Sequence, residues 1–143
     1  MQIDVLGIDL AKRVFQLHGV TAGGTIVHRS KVSRPSLLQA IGRLEPRLVV
    51  MEACASAHHW ARQLLGKGIA VKLISPQFVV PFVKTNKNDR NDAEGIVEAA
   101  SRPAMRFVAV KSVQQQDIQA IHRLRELYVH QRTAVINHVR AVL

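Results

Sequence analysis

Strand-length apolar segments separated by short polar breaks open the chain, and helical spacing takes over only later. Residues 3–9 (Ile-Asp-Val-Leu-Gly-Ile-Asp) and 13–20 (Arg-Val-Phe-Gln-Leu-His-Gly-Val) read as strands, the second with apolar and polar positions in partial alternation. Thr21-Ala22-Gly23-Gly24 turns the chain into a third strand over 25–32, whose higher charge places it near a sheet edge. After Pro35-Ser36 the period changes: Leu37, Leu38, Ile41 and Leu44 fall on one helical face. Residues 48–51 form a continuous apolar run of buried-strand length, 57–65 a helix stopped by Gly66 and Gly68, and 70–74 another buried strand. A meander followed by strand, helix, strand predicts an α/β fold with a mixed sheet and flanking helices.

Residues 75–81 read as irregular. A polar cluster over 84–92 leads into a helix that ends near Ala100, closed by Arg102-Pro103. From Ser112 to the end no Gly or Pro intervenes, and Ile121, Tyr128, Val135 and Val142 recur every seven residues beside Ala120, Leu127, Ala134 and Ala141. This predicts one long amphipathic helix of coiled-coil type. The expected organisation is a domain over 1–111 and a helical dimerisation arm over 112–143.

Length and charge narrow the function. At 143 residues the chain has the size of one domain. Its apolar runs are far shorter than the roughly 20 residues that span a bilayer, so no membrane partner is expected. An acid at Asp4 stands where a signal peptide would be basic, and the single Cys54 suits a reducing compartment, so a cytoplasmic location is expected. Twenty Lys and Arg against ten Asp and Glu leave a formal charge of +10, which points to a polyanionic partner. With four Phe, one Trp and one Tyr, rings are scarce, and contacts to the phosphate backbone are expected over base stacking.

Against this basic background four acids stand out. Asp9 and Glu52 each end an apolar strand, where open α/β sheets gather ligands. Taken alone, each could simply turn the chain. A charge directly after an apolar run is nonetheless costly to desolvate unless something compensates it, and a divalent cation would. Asp89 and Asp92 lie three apart at a helix start and so share a face, although Asp there also caps free N–H groups. Mg²⁺ and Mn²⁺ take oxygen ligands, and two-metal phosphoryl transfer needs several carboxylates around ions roughly 3.5–4 Å apart.

The segments Gly7-Ile8-Asp9-Leu10-Ala11-Lys12, residues 51–62 (Met-Glu-Ala-Cys-Ala-Ser-Ala-His-His-Trp-Ala-Arg) and residues 86–94 (Asn-Lys-Asn-Asp-Arg-Asn-Asp-Ala-Glu) resemble, in order and spacing, the amino-terminal half of the DEDD transposases of bacterial insertion sequences, the insertion sequence 110 type. The resemblance covers essentially the whole chain, including 103–108 and the helix with Gln131-Arg132-Thr133. It implies an RNase H-like fold similar to the RuvC resolvase, with Asp9, Glu52, Asp89 and Asp92 as the catalytic, Mg²⁺- or Mn²⁺-binding tetrad. It also implies DNA cleavage and strand transfer during transposition, guided by a structured RNA; the apolar stripe of the long helix, which a small domain cannot wholly cover, separately predicts a homodimer or higher assembly. In the family a second catalytic domain carrying a serine nucleophile follows. Neither it nor its serine is present here, and the ending inside an unfinished heptad reads as a piece of a longer protein.

Nucleic-acid contacts are expected from Lys12, Lys84, Lys87, Arg90, Arg123, Arg125, Arg132 and Arg140. Cys54 with His58 and His59 reads as a buried thiol beside surface histidines, and Gly23-Gly24 as a hairpin turn, since no Gly-Lys-Ser/Thr follows. Two other functions fit part of the pattern. One is a noncatalytic nucleic-acid-binding module whose acids are structural. The other is an actin-like nucleotide-binding domain, whose first phosphate loop resembles Gly7-Ile8-Asp9-Leu10 but would want small residues at Lys12 and Arg13.

Overall fold

The computed structural model describes residues 2–83 and 89–143, with the backbone alone for 89–91. Its first three strands, β1 (Val5–Asp9), β2 (Val14–Val20) and β3 (Ile26–Ser33), form the expected antiparallel meander, with Asp9 opposite Gln16 and Val14 opposite Ser33. The turn between β2 and β3 uses Gly24 at φ +80°, where a side chain would be strained. β4 (Leu48–Glu52) then adds parallel to the other side of β1, and β5 (Ala70–Ile74) parallel to β4. Parallel neighbours need crossovers, and α1 (Leu37–Leu44) and α2 (Ala55–Leu65) supply them. A two-residue strand, β6 (Phe107–Val108), closes the sheet antiparallel to β5, giving the order β3-β2-β1-β4-β5-β6.

Side chains alternate across the sheet, and the two faces bury different helices. On one face Leu6, Ile8, Phe15, Leu17, Val49, Met51 and Leu73 pack with Leu37 and Ile41 of α1 and Ala57, Trp60, Ala61 and Leu64 of α2. Phe15 meets Trp60 edge to face at 5.7 Å between centroids, and Arg34 stacks over both rings. On the other face Val50 and Ile74 pack against Val79 of α3 (Pro76–Val79) and Ile96 and Ala99 of α4 (Asp89–Ala100).

Two elements differ from the sequence reading. Residues 75–81 are mostly helical: α3 continues into a 3₁₀ turn over Val80–Phe82, because Pro76 sits in the first turn, where its missing N–H has no intrahelical partner to lose. β6 is unforeseen, since two residues carry no period. The edge position of β3 is as expected.

The chain forms two compact units, Met1–Val110 and Lys111–Leu143. The second is α5 (Val113–Val142), an uninterrupted helix that buries none of its residues. It starts at a capping box: the Ser112 hydroxyl accepts from the Gln115 backbone N–H, and the Ser112 N–H donates to the Gln115 side chain. No helix among the described residues is long and apolar enough to cross a membrane.

Candidate active site

The candidate site begins with where two strands stop. β1 ends at Asp9 and β4 at Glu52, and the strands run parallel with Ile8 opposite Met51, so Asp9 and Glu52 are the next positions along. Ile8 and Met51 point into the α1/α2 core, which turns Asp9 and Glu52 to the opposite face. That is the face α4 covers. Just past Glu52 the Ala53 N–H still bonds the Ile74 carbonyl at 2.7 Å, which holds the strand end in register before α2 begins. Both acids are half-buried.

α4 reaches them because β1 has no side chain where the helix crosses. A Cβ on Gly7 would lie 2.5 Å from Val97 Cγ2 and 2.7 Å from the Ala93 carbonyl oxygen. Only glycine allows this approach. A second close contact, at Gly95, seats α4 against Phe82 and Val83, and Arg29 of β3 pairs with Glu94 at 3.2 Å from the far side. Asp92, next to Ala93, is thereby carried to the strand ends.

The result is electrostatic. The Glu52 carboxyl is pushed above its ordinary range, first by burial and then by the negative charge of Asp92. Two carboxylates from segments forty residues apart thus feel one another at the sheet end, beside the strand that ends in Asp9. Asp89 opens α4 three residues before Asp92; its side chain lies outside the described residues. Among the described residues, no three or more His, Cys, Asp or Glu side chains stand close enough together to hold a metal ion. The donor chemistry does fit one: hard carboxylate oxygens, partly desolvated, with Glu52 pushed up by burial and by the charge of Asp92, are what a divalent cation relieves.

Of the residues expected to touch nucleic acid, Lys12 is exposed on the β1–β2 connection, three positions beyond Asp9 and at the same sheet end. Arg123, Arg125, Arg132 and Arg140 are exposed along α5. Lys84 and Lys87 lie outside the described residues, as does the side chain of Arg90. The expectation of a buried Cys54 is corrected: the thiol is exposed, 3.4 Å from the Ser56 hydroxyl, because Cys54 is the extended residue before α2 and precedes its buried face. His58 is the buried member of that trio, and His59, like Cys54, is exposed. Gly7 is the residue whose role the sequence reading missed; a glycine inside an apolar strand was the available signal.

Known proteins resemble the chain over nearly its full length. The profile of the DEDD_Tnp_IS110 family, described as Transposase, matches residues 6–143. The chain is 50% identical over 141 residues to the transposase for insertion sequence element IS1111A of Coxiella burnetii, covering 99% of this chain and 39% of that protein. It is 51% identical over 143 residues to a probable family 20 transposase of Pseudomonas aeruginosa, covering 100% of this chain and 42% of that one. The chain therefore spans about two fifths of the length of these relatives. Among solved structures, RuvC of T. thermophilus in complex with a Holliday junction substrate superposes with a TM-score of 0.56 at 14% identity, over 76% of this chain and all of that one. The fold is RuvC-like.

Proposed function

Because the chain belongs to the DEDD transposase family of the insertion sequence 110 type, we propose that it is the amino-terminal catalytic domain of a DNA transposase, cleaving and transferring DNA strands by metal-dependent phosphoryl transfer. The observation that carries this reading is the mutual repulsion of Glu52 and Asp92 at the strand end next to Asp9, in a chain otherwise poor in acids. Asp9, Glu52, Asp89 and Asp92 are the residues that would hold Mg²⁺ or Mn²⁺. A bound divalent ion supplies Lewis-acid activation of a nucleophile and stabilises charge on the reacting phosphate.

The rest is the work of the chain's own groups. The sheet fixes Asp9 and Glu52 on rigid strands, and α4 delivers Asp92 and Asp89 from one helical turn. Lys12, beside Asp9, together with Lys84, Lys87 and Arg90, neutralises phosphates of the strand being cut, and Arg123, Arg125, Arg132 and Arg140 of α5 supply a further set of phosphate contacts. The partners on this reading are DNA and a structured guide RNA, with a second copy of the chain bound through α5. RuvC bound to a junction shares the fold and supports DNA as the substrate class.

Divalent binding tests the assignment directly. Titration of Mn²⁺ into the chain is expected to show binding that Asp9→Asn weakens by about tenfold or more, since a ligand charge is lost. Affinity for DNA should change little, because it is spread over many bases. In a full-length transposase the same substitution is expected to abolish strand cleavage; a variant that still cuts refutes the catalytic tetrad.

A further inference from the structure

The fold distributes the six aromatic rings unevenly. Phe15 and Trp60 lie in the core and Tyr128 on α5. The other three, Phe78, Phe82 and Phe107, collect at one corner of the sheet, where β5 gives way to α3 and β6 pairs alongside. Cations already sit on two of them: Lys72 Nζ is 4.4 Å from the Phe107 ring centre, and the Arg102 guanidinium 5.1 Å from that of Phe82. A cavity of about 320 Å³ opens here, lined by Phe78, Phe82, Arg102, Ala104, Met105 and Arg106. None of these lining residues is an acid. Phe78 is 36% exposed at its rim.

The location ties this corner to the acids. Ile74, the last residue of β5, is paired with Glu52, so α3 leaves the sheet at the end where Asp9 and Glu52 stand, one strand spacing of about 5 Å to the side. Apolar ring faces and a thioether suit a flat π-system, and guanidinium groups suit the phosphates that flank it. The cavity is at the small end of ligand pockets, the scale of a single base rather than a duplex. In a duplex the base faces are covered by their neighbours and cannot enter.

We propose that this corner is a site for one unpaired base of a single-stranded nucleic acid, which stacks against Phe78 while Arg106 takes the adjoining phosphate; Arg102, already on the Phe82 ring and paired with Glu98 at 2.9 Å, closes the side of the site. The proposal rests on the nucleic-acid reading above and adds a base-stacking contact that the scarcity of rings had argued against. It gives the protein a preference for strands that are open beside the catalytic end.

The test is binding of fluorescent oligothymidylate, and of a duplex of equal length, by the full 143-residue chain in EDTA, so that the acids play no part. Phe78→Ala is expected to weaken single-strand binding about 5- to 100-fold, the range for one stacked base. Duplex binding should stay within about twofold, because phosphate contacts dominate it. Arg106→Ala should lower the salt slope of single-strand binding by about one. Phe78→Trp should keep the affinity and show quenched indole emission on addition of the oligonucleotide. Thermal melting of each variant checks that the fold is intact. Equal losses on single strand and duplex, or no loss with Phe78→Ala, overturn the base site. A change in sedimentation with unchanged oligonucleotide affinity also overturns it, by making the corner a contact for a second chain. Failure of the unsubstituted chain to bind either form would instead overturn the nucleic-acid reading itself.

Discussion

At the scale of single residues, a missing side chain matters as much as the charged ones. Gly7 lets the backbone of α4 lie on β1, and a Cβ there would meet Val97 Cγ2 at 2.5 Å and, at 2.7 Å, the Ala93 carbonyl oxygen, which moves only if the helix moves. Gly7→Ala is therefore expected to destabilise the fold by about 1–3 kcal/mol, the usual penalty of overpacking, and to lower metal affinity in the same variant by pushing Asp92 outward. Urea unfolding and Mn²⁺ titration of that variant read the two effects, and an unchanged midpoint would show that α4 is not seated as described. Glu52 gives a prediction of opposite sign. Its carboxyl titrates above its ordinary value, so over the interval from the unfolded value up to the folded one the native state holds more protons than the unfolded chain. Stability should then fall as pH rises through that interval and stay lowered above it. In metal-free buffer Glu52→Gln is expected to raise the melting temperature at neutral pH, with the advantage shrinking toward pH 4; a variant that melts lower at neutral pH would mean the carboxylate is stabilised by a partner. The two strand-end acids were legible in the sequence because each follows an apolar run. Neither the need for Gly7 nor the raised Glu52 was, since the first arises wholly, and the second in part, from a helix that joins the strands from forty or more positions further along the chain.

At the scale of elements, legibility followed the length of the pattern. The meander, the parallel pair and the long helix were readable because each carries a period over five residues or more, whereas β6 has two residues and α3 four, below what periodicity resolves. α3 and the 3₁₀ turn after it were hidden further by Pro76 and Pro81, which read as breaks although Pro76 begins a helix. The same reasoning makes α5 the element with the plainest unmet need. Ile121, Tyr128, Val135 and Val142 recur at heptad spacing and are 62–75% exposed, and a 30-residue helix with no buried side chain is not held by packing of its own. A second copy of the chain, laid seam to seam, would cover that stripe while leaving the arginines for nucleic acid. Light scattering at tens of micromolar, about the range for modest coiled coils, is expected to show a dimer that Ile121→Asp with Val135→Asp converts to monomer. A monomer before substitution, or a dimer that survives it, would reject the seam.

At the scale of the whole molecule, the strand-end acids, Lys12 and the aromatic corner share one end of one sheet, an arrangement that no single stretch of sequence displays. It is produced by parallel β1, β4 and β5, which bring three carboxyl ends together, and by α4, which returns to cover them. On the proposed reading such a site binds a strand and holds it against a metal, but exchange of strands also needs a nucleophile that keeps the broken end. The described serines near the site offer none: Ser56 shares a contact with Cys54, and Ser75 precedes α3, with no base set to activate either. The resemblance places the nucleophilic serine in a following domain, and this chain spans 39–42% of the relatives it matches. The 143 residues by themselves are thus expected to bind DNA with a strong salt dependence and to bind Mn²⁺ at Asp9 and its partners, while yielding no recombinant product in a plasmid assay even with metal and guide RNA supplied. Adding the remainder of a relative's transposase as a separate polypeptide should restore product, and Asp9→Asn in the present chain should remove it again. Recombination by these residues unaided would place the nucleophile within them and end the division of labour between two domains.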